Sequence, residues 1–451
     1  MFKLDYVLLH FRSLFPGSES IVLNYTGTPS TERGSINIRK YTGSFFEGKR
    51  PRPNQVVWKE WEGMRMPFFF EEDASQDVIT YADGVATINY DIISSAFYLL
   101  SGWQEHYGVE RDKFGRYTYK ASVQAKYNII TKPVVNYYFE VLRKAIEQVH
   151  GKKLQYRTWP NGSSFATCLT YDVDRLHSAW KVAGMPLLQS GNFKNFTVLQ
   201  LKNMFSKDPW NNLPDSMLLA ERFGARATYF MLASNQRYNG NPNADYDITK
   251  PKYQQLAKSI SEKGHEVSIH GSFGTTNDLQ QLKSDARKLP VKPLGNRFHY
   301  LCHIPEKTPQ LLDQSGLKYD STLGFADHFG FRNSYCHPFY PYDFKNRKAY
   351  TYLELPLNLM DITLINPHYM HLKPSEVLEA IEPMLQEIMR FNGLCTILWH
   401  NENISSFSEY PLPKGEPSWR KVLEDLLKKL QSNGTAFLTC SEAAEQASIN
   451  I

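Results

Sequence analysis

The sequence predicts an α/β protein whose larger part is a barrel of parallel βα units. Two observations lead to this prediction. Apolar strand candidates alternate with helix candidates over about 280 residues in the second part of the chain, which is typical of parallel βα units and suits a barrel. The chain of 451 residues is also longer than one ordinary domain, and its first part lacks this alternation.

The first 155 residues are predicted to form a smaller N-terminal accessory domain of mixed α/β structure. Apolar residues at helical spacing predict a helix over Asp91–Tyr107. A second helix is predicted over Lys132–Val149, because Pro133 suits the first helical position and Gly151 follows the end. Short strand candidates precede them: Ser20–Tyr25, Val56–Trp58 and Val78–Tyr81. Residues 111–116 form a charged turn, and with no catalytic constellation in this domain, docking, oligomerisation or a lid is the expected role.

Residues 160–451 are predicted to form the barrel, after a junction rich in turn formers at residues 157–162. The strand candidates are Phe165–Tyr171, Arg226–Leu232, His265–His270, Arg297–Cys302, Tyr352–Leu357, Leu394–His400 and Thr435–Cys440. The helix candidates are Asp215–Phe223, Lys252–Lys263, Asp278–Leu289, Thr308–Gln314, Ser375–Phe391 and Trp419–Gln431. Two long segments, 176–214 and 324–348, interrupt the alternation, and loops of such length are usually functional or mobile.

The composition excludes several classes of protein. The net charge is only +5 and the basic residues are scattered, so nucleic acid is not expected as a partner. No run reaches the ~18 apolar residues needed to span a membrane. Asp5, His10 and Arg12 interrupt the amino-terminal run, so a first strand or short helix is expected there rather than a signal peptide. The five cysteines form no CxxC pair, which favours reduced, mostly buried thiols and a cytoplasmic location.

Two carboxylates end the first strand of the predicted barrel. Asp172 and Asp174 lie at the end of the apolar run that begins at Phe165, and positions two apart on a strand face the same side. In α/β folds of this kind, sites form at the carboxyl ends of strands. Two carboxylates this close suit a metal ligand beside a base, although a strand-end aspartate also commonly caps a loop or a helix.

Three more polar residues lie at or near the ends of separate βα units. His270 ends one strand candidate, Arg297 begins the next, and His400 ends the strand near the carboxyl terminus. A lone strand-end histidine is more often structural. A barrel, however, brings these ends together, and metal-assisted hydrolysis needs ligands, a base and an acid. The sequence therefore predicts one site that contains these residues together with Asp172 and Asp174.

The order of several short motifs resembles that of the polysaccharide deacetylase superfamily (carbohydrate esterase family four, with its NodB-like homology domain) over about residues 165–440. The motifs are TYDVD, RATYFML, GHEVSIHGS, RFHY, LELPL and ILWHN. The resemblance implies a distorted (β/α)7-type barrel and a hydrolase that removes N- or O-acetyl groups from polysaccharides. It also implies one divalent metal ion, commonly zinc.

The resemblance further implies a role for each matched residue. Asp172 would be the base that acts on a metal-activated water, and Arg297 would hold its carboxylate. Asp174 and His270 would bind the metal ion, and His400 would be the acid that protonates the leaving group. The family usually has a second histidine four residues after the first, but Gly274 occupies that position in this chain.

His299 is the candidate that replaces the missing histidine. If Arg297–Cys302 is a strand, His299 shares a side with Arg297 and faces the site. Asp278 is the other residue near the gap of a type that binds zinc. Zinc held by one aspartate and two histidines, with an open water position, is an ordinary catalytic set, whereas a site with no replacement would bind metal poorly.

The sequence also contains candidates for binding the substrate. Tyr300 and Trp399 are of a type that stacks on sugar rings, and His328 lies in an aromatic and polar loop, 325–332, expected at the rim of the site. Each of these aromatic residues, taken alone, is more often part of a core. Asp361 follows the LELPL motif, and the resemblance implies that it orients His400.

Three functions are compatible with these observations. The first is a metal-dependent deacetylase that acts on an acetylated carbohydrate or glycan precursor. The second is a metal-independent hydrolase of C–N bonds with the same fold, and the third is a non-catalytic member that binds carbohydrate or a partner protein. An acid–base pair is unnecessary for binding, which argues against the third. The absence of a signal peptide favours a cytoplasmic substrate such as a nucleotide- or lipid-linked sugar, and no sequence feature specifies an oligomeric state.

Overall fold

A parallel β-sheet that curves into an incomplete barrel forms the centre of the molecule, and a smaller N-terminal α/β region packs against it. The structure is a computed structural model that describes residues 2–405, 407, 409–410 and 412–449. The predicted fold class, a distorted βα barrel with a smaller N-terminal α/β domain, is confirmed.

The N-terminal region contains small sheets covered by helices. Its helices are α1 (Phe2–Leu14), α2 (Ile92–Leu100), α3 (Trp103–Tyr107), α4 (Val123–Lys126) and α5 (Val134–His150). Its strands are β1 (Ile36–Ile38), β2 (Val56–Trp61), β3 (Met64–Phe69), β4 (Ile79–Ala82) and β5 (Val85–Ile88). β5 pairs with β1 in parallel and with β4 antiparallel, and β2 and β3 form an antiparallel hairpin.

Two N-terminal predictions are wrong. The helix predicted over Asp91–Tyr107 is broken between α2 and α3, because Gly102 adopts a left-handed conformation with φ of 71°. Ser20–Tyr25 does not form a strand, and only Asn24 makes a bridge, with Asn37. Of the strand or short helix expected at the amino terminus, the helix is present, as α1.

The second part of the chain contains the barrel strands and the helices around them. The strands are β6 (Ala166–Val173), β7 (Ala227–Leu232), β8 (Glu266–Gly271), β9 (Gly295–Phe298), β10 (Tyr319–Asp320), β11 (Tyr342–Asp343), β12 (Lys348–Ala349), β13 (Leu353–Glu354), β14 (Leu359–Met360), β15 (Leu394–His400) and β16 (Ala436–Phe437). The helices are α6 (Ala179–Gln189), α7 (Phe193–Phe205), α8 (Leu213–Arg222), α9 (Pro251–Glu262), α10 (Leu279–Lys288), α11 (Thr308–Ser315), α12 (Asp361–Ile365), α13 (Val377–Arg390), α14 (Trp419–Ser432) and α15 (Cys440–Ala447).

The barrel sheet has the strand order β13-β10-β9-β8-β7-β6-β15-β14, and β16 pairs with the beginning of β6. All of these pairings are parallel. Within the described residues, the edge strands β13 and β14 do not pair with each other, so hydrogen bonds do not close the barrel. Because the strands are parallel, all their carboxyl ends lie at one edge of the sheet.

The strand predicted over Arg297–Cys302 is correct only for its first two residues. β9 ends at Phe298, and residues 299–301 form a 3₁₀ turn in which Tyr300 and Leu301 have φ of 59° and 55°. The strand predicted over Thr435–Cys440 is also shorter, because Thr439 caps helix α15, which begins at Cys440.

Most of the segment 324–348, up to Asp343, is buried, and it contacts the N-terminal region. The hydroxyl of Tyr6 donates to the carbonyl of Tyr340 at 2.8 Å, and the amide of Tyr340 donates to Nε2 of His10 at 3.0 Å. Arg332 forms a buried ion pair with Glu105. One hydrophobic cluster contains side chains from both parts of the chain, and the domain boundary near residue 155 stays a prediction.

Two further expectations, of buried free thiols and of no membrane-spanning segment, agree with the described residues. All five cysteines are buried and form no disulfide. Among the helices of the described residues, none combines the length and the apolar character that a membrane span requires.

Candidate active site and metal centre

A cavity of about 650 Å³ lies over the carboxyl ends of the barrel strands. The register of the sheet brings the predicted polar residues to this edge: Asp172 on β6 is paired with His400 on β15, and His270 on β8 is paired with Arg297 on β9. Asp172, Asp174, His270 and His400 all line the cavity. Strand-end residues far apart in the chain therefore meet in one place.

Three of the lining side chains form a cluster with the composition of a metal site. Each of Asp174, His270 and His299 offers one ligand atom, and these atoms lie within 4.8 Å of one another. Nε2 of His270 lies 3.3 Å from Oδ1 of Asp174, and Nε2 of His299 lies 3.4 Å from its Oδ2. Nε2 of His270 and Oδ1 of Asp174 are buried and have no hydrogen-bond partner in the described part of the chain. Buried polar atoms are normally satisfied, so these two fit a ligand between them.

Both imidazoles are held with Nε2 towards the cluster. Nδ1 of His270 lies 2.6 Å from the carbonyl oxygen of Arg297, and Nδ1 of His299 lies 3.2 Å from Oδ1 of Asn243. Each Nδ1–H therefore donates a hydrogen bond outward, which leaves the lone pair of Nε2 available to a metal ion. The oxygen of Asn243 is fixed because it also accepts from the amide of Phe273 at 2.7 Å.

The charges of the cluster shift the pKa values of its members. Burial would raise the pKa of Asp174, but His299 and His270 hold it well below its usual range. Burial would lower the pKa of His270, but the carboxylates of Asp172 and Asp174 raise it. Burial lowers the pKa of His299, which outweighs the charge of Asp174. The shifts of Asp174 and His299 favour the anionic carboxylate and the neutral imidazole that bind a divalent metal ion, whereas a proton on His270 has to leave when the ion binds.

Asp172 lies beside this cluster with one oxygen bound and the other near the ligands. Nη1 of the fully buried Arg297 donates to Oδ1 of Asp172 at 2.9 Å and to the hydroxyl of Thr170 at 2.7 Å. Its other nitrogens donate to the carbonyl and the hydroxyl of Ser321. Oδ2 of Asp172 lies 3.5 Å from Nε2 of His270. Arg297 thus fixes the orientation of the carboxylate and compensates its charge.

His400 lies at the end of β15, next to the position of Asp172 on β6. Its Nε2 is 3.7 Å from Oδ2 of Asp174, and its Nδ1 is 2.7 Å from Oδ1 of the buried Asp361. Burial would lower the pKa of His400, but the charge and hydrogen bond of Asp361 raise it to about 10. His400 is therefore an imidazolium that presents Nε2–H to the cavity at neutral pH.

His299 lies at the metal cluster, but the reason differs from the one predicted. It does not share a strand with Arg297; it begins the 3₁₀ turn that follows β9, and this turn directs the imidazole at Asp174. Gly274, at the position of the missing histidine, has φ of 103°, and a Cβ there would lie 2.7 Å from the ring of Tyr238. The backbone at residue 274 therefore disfavours any side chain. Asp278 instead caps helix α10 by accepting from the amide of Gln281.

Of the three predicted substrate-binding residues, only Tyr300 lines the cavity. Trp399 is fully buried in the hydrophobic core, because alternation along β15 turns it away from the face of His400. His328 lies outside the cavity, with Nδ1 2.7 Å from the carbonyl of Phe329 and its ring 4.2 Å from that of Tyr119. No residue of the loop 325–332 lines this cavity, and the phenylalanines of the loop are buried.

The N-terminal region supplies part of the cavity wall, which the sequence did not predict. The ring of Phe114 stacks on that of Tyr300, with centroids 4.9 Å apart and planes 9° apart. Arg116 donates to the carbonyl of Tyr300 at 2.9 Å and to the hydroxyl of Tyr369 at 3.1 Å. Asp112 holds Arg116 through Nε at 2.7 Å. The only sequence signal was a phenylalanine inside a charged turn, and it does not indicate where the turn packs.

A third carboxylate in the cavity, Glu402, was also missed. Nε of Arg175 donates to its Oε1 at 2.8 Å, whereas its Oε2 is buried without a hydrogen-bond partner in the described chain. Burial raises the pKa of Glu402 in spite of the opposing charge of Arg175. Glu402 thus adds a polar group beside His400 that can contact a bound ligand. The sequence did contain a signal for this residue, since Glu402 directly follows the ILWHN motif.

Comparisons with known proteins add a family match for the N-terminal region. Residues 1–151 match the model of a family of unknown function, DUF7033. The search of curated proteins found no match to the chain.

Several solved structures resemble part of the molecule. A Mycobacterium smegmatis protein provisionally described as a polysaccharide deacetylase is 19% identical, with a TM-score of 0.42, over 64% of this chain and 92% of that chain. Puue allantoinase is 12% identical, with a TM-score of 0.43, over 64% and 91%. A pseudoenzyme of carbohydrate esterase family four from Bacillus anthracis is 12% identical, with a TM-score of 0.32, over 64% and 67%. These likenesses span three different functions, so the function is argued from the site.

Proposed function

We propose that this protein is a metal-dependent hydrolase that removes an acetyl group from an N- or O-acetylated carbohydrate or glycan precursor. The observation that carries the proposal is the arrangement of three potential ligands, Asp174, His270 and His299, between a carboxylate and an imidazolium. The order of the sequence motifs, which resembles that of the polysaccharide deacetylases, agrees with it.

Asp174, His270 and His299 would hold the metal ion. One carboxylate and two histidines, with a further position open to the cavity, are the ligands that catalytic zinc prefers. When bound, a divalent ion polarises the acetyl carbonyl and makes a water molecule more acidic. The outward hydrogen bonds of the two imidazoles keep both Nε2 atoms directed at the ion.

Asp172 and His400 perform the proton transfers in this proposal. Asp172 accepts a proton from the attacking water while Arg297 keeps its carboxylate in place. The water oxygen forms a bond to the acetyl carbon, and the bond to the sugar nitrogen or oxygen breaks. His400 gives its Nε2 proton to that departing atom, and the products are acetate and the deacetylated sugar. Asp361 stabilises the imidazolium before the transfer and fixes its tautomer.

The remaining walls of the cavity suit a sugar. Aromatic faces come from Phe114, Tyr300, Tyr369 and Tyr410, and charged hydrogen-bonding groups come from Arg175, Glu402 and Glu409. Sugar rings offer both apolar faces and hydroxyl groups, so this mixture is the expected complement.

The test combines metal content with acetate release from a panel of N- and O-acetylated sugars. We expect about one zinc or similar ion per chain in the purified protein and its loss in Asp174→Ala. Asp172→Asn should retain the ion, since Asp172 is not a proposed ligand, but lose at least about 100-fold in turnover.

Two outcomes would overturn the proposal. Hydrolysis of an amide by protein that binds no metal after reconstitution would indicate the metal-independent C–N hydrolase. A metal ion without acetate release from any sugar of the panel would indicate a binding protein instead.

A further inference from the structure

The helices α6 and α7 pack against each other as a hairpin that follows Arg175, a residue that lines the cavity. Both of its ends are tied down by the buried amide of Asn401, whose Nδ2 donates to the carbonyls of Arg175 at 2.9 Å and Trp210 at 2.7 Å. The guanidinium of Arg175 also covers the ring of Trp210 at 4.4 Å. Asn401 directly follows His400, so the hairpin begins and ends beside the proposed acid.

The hairpin is strongly basic for its length. Between residues 176 and 207 there are no aspartates or glutamates, and there are four lysines, at positions 181, 194, 202 and 207. The whole chain, by contrast, carries basic and acidic residues in similar numbers, 51 and 46. A segment with one sign of charge favours a partner surface of the opposite sign.

Each helix exposes the same pattern of one lysine and two apolar residues. On α6 the exposed positions are Lys181, Met185 and Leu188, and on α7 they are Lys194, Val198 and Leu201. In both cases the spacing is i, i+4 and i+7, so the three side chains share one face of the helix. Phe193, at the beginning of α7, is also exposed, at 66%.

The exposed apolar side chains are additional to those that hold the hairpin together. The two helices pack at Gly184, where a Cβ would lie 3.0 Å from the ring of Phe196 and 3.6 Å from the side chain of Leu199. Phe196 and Leu199 are partly buried in this contact, whereas Val198 and Leu201 are more than half exposed. These exposed apolar side chains are therefore available to a partner surface.

We propose that the α6–α7 hairpin binds an anionic membrane surface. Helices with lysines beside exposed Phe, Leu, Met and Val lie at the interface of lipid bilayers, with the apolar side chains among the acyl chains and the lysines at the anionic headgroups. A second copy of this chain is a poorer occupant, because it would place lysines against lysines. Because the hairpin is anchored beside Arg175 and Asn401, binding would bring the rim of the cavity to the membrane surface.

The test is sedimentation of the full chain with two kinds of vesicle, pure phosphatidylcholine and phosphatidylcholine containing phosphatidylglycerol. We expect the partition coefficient to be at least about tenfold higher for the anionic vesicles, and to fall with added salt. Leu201→Asp and Phe193→Asp should each lower it by about tenfold or more. The matched control is Leu218→Asp on helix α8, since Leu218 is exposed to 55% and Leu201 to 52%.

A second pair of variants tests the charges. Lys181→Glu combined with Lys194→Glu should abolish the preference for anionic vesicles, whereas Lys428→Glu, on an exposed face of α14, should keep it. Equal partition of the wild type into both kinds of vesicle, or unchanged partition of Leu201→Asp, would overturn the proposal. A wild-type dimer that Leu201→Asp converts to a monomer, without vesicle binding, would also overturn it and assign the faces to a second copy. Circular dichroism shows for each variant that the fold is retained.

Discussion

Asp361 holds His400 at two points. Its Oδ1 accepts a hydrogen bond from Nδ1 of the imidazole at 2.7 Å, and its Oδ2 accepts from the main-chain amide of the same residue at 2.7 Å. Asn403 donates to Oδ2 as well, at 2.8 Å. Asp361 is fully buried, so its charge acts on the imidazole with little screening by water. This relationship explains why His400 stays protonated although burial alone would lower its pKa.

Replacing Asp361 by asparagine is expected to lower the pKa of His400 from about 10 and to leave the imidazole neutral at pH 7. Since a neutral imidazole cannot protonate the leaving group, turnover of an acetylated sugar should fall by about 10²–10⁴-fold. Nuclear magnetic resonance titration of His400 in the metal-free protein measures the pKa, and acetate release measures turnover. Asp313→Asn, on the surface, is the control. An unchanged pKa in Asp361→Asn would contradict the assignment.

Removal of the imidazole of His299 is expected to weaken zinc binding by at least about 100-fold, because it deletes a proposed ligand. A titration against a chelating indicator dye gives the affinity. His328→Ala removes a histidine that lies outside the cavity and should bind zinc as the wild type does. Equal affinities in the two variants would exclude His299 from the metal site.

The contact between Phe114 and Tyr300 predicts that the N-terminal region affects substrate binding. Phe114→Ala should lower kcat/KM by about 3- to 10-fold, mainly through KM, since an aromatic pair contributes about 0.5–1.5 kcal/mol and Phe114 touches none of the proposed catalytic groups. Steady-state kinetics on an acetylated sugar separate KM from kcat. Tyr81→Ala, on an exposed position of β4, should change neither. A loss confined to kcat would assign Phe114 a different role.

The burial of His10 predicts how the stability of the protein depends on pH. Burial lowers the pKa of His10 from 6.5 to about 4. In the folded protein its Nε2 accepts a hydrogen bond from the amide of Tyr340. The pKa of His10 is lower in the folded protein than in the unfolded chain. The contribution of the neutral imidazole to the free energy of unfolding is therefore complete above pH 6.5 and is lost as the pH falls towards 4. The free energy of unfolding should therefore decrease by roughly 3 kcal/mol over this window through His10.

Urea unfolding at pH 7 and pH 4.5 measures this loss. His10→Gln should be less stable than the wild type at pH 7 but should lose less stability on acidification. His150→Gln, at the exposed end of α5, should follow the wild type at both values. If acidification destabilised His10→Gln as much as the wild type, other groups would account for the acid sensitivity.

Local sequence patterns were sufficient to predict many of the residues that form the site. The apolar run before Asp172, with a second carboxylate two residues later, specifies a buried strand that ends in two acids, and the same argument applies to His270 and His400. Alternation along β15 could also have shown that Trp399 faces away from His400. These properties depend on periods of two and on turn formers, which lie within a few residues of one another.

The positions of residues beyond the strand ends could not be predicted from local sequence, because they depend on the path that the chain takes in the folded molecule. His299 reaches Asp174 because Tyr300 and Leu301 take left-handed conformations that no local propensity favours. Phe114 completes the cavity through a contact with Tyr300, nearly two hundred residues away in the sequence.

Local sequence patterns specify where the strands end. They therefore also specify which acidic and imidazole side chains lie together at one edge of the sheet, because parallel strands align their carboxyl ends. The third ligand and the aromatic wall were decided only in the folded molecule, because they depend on packing between segments far apart in the chain. The loop containing His328 illustrates the same limit, since its burial against Tyr119 follows from docking of the N-terminal region.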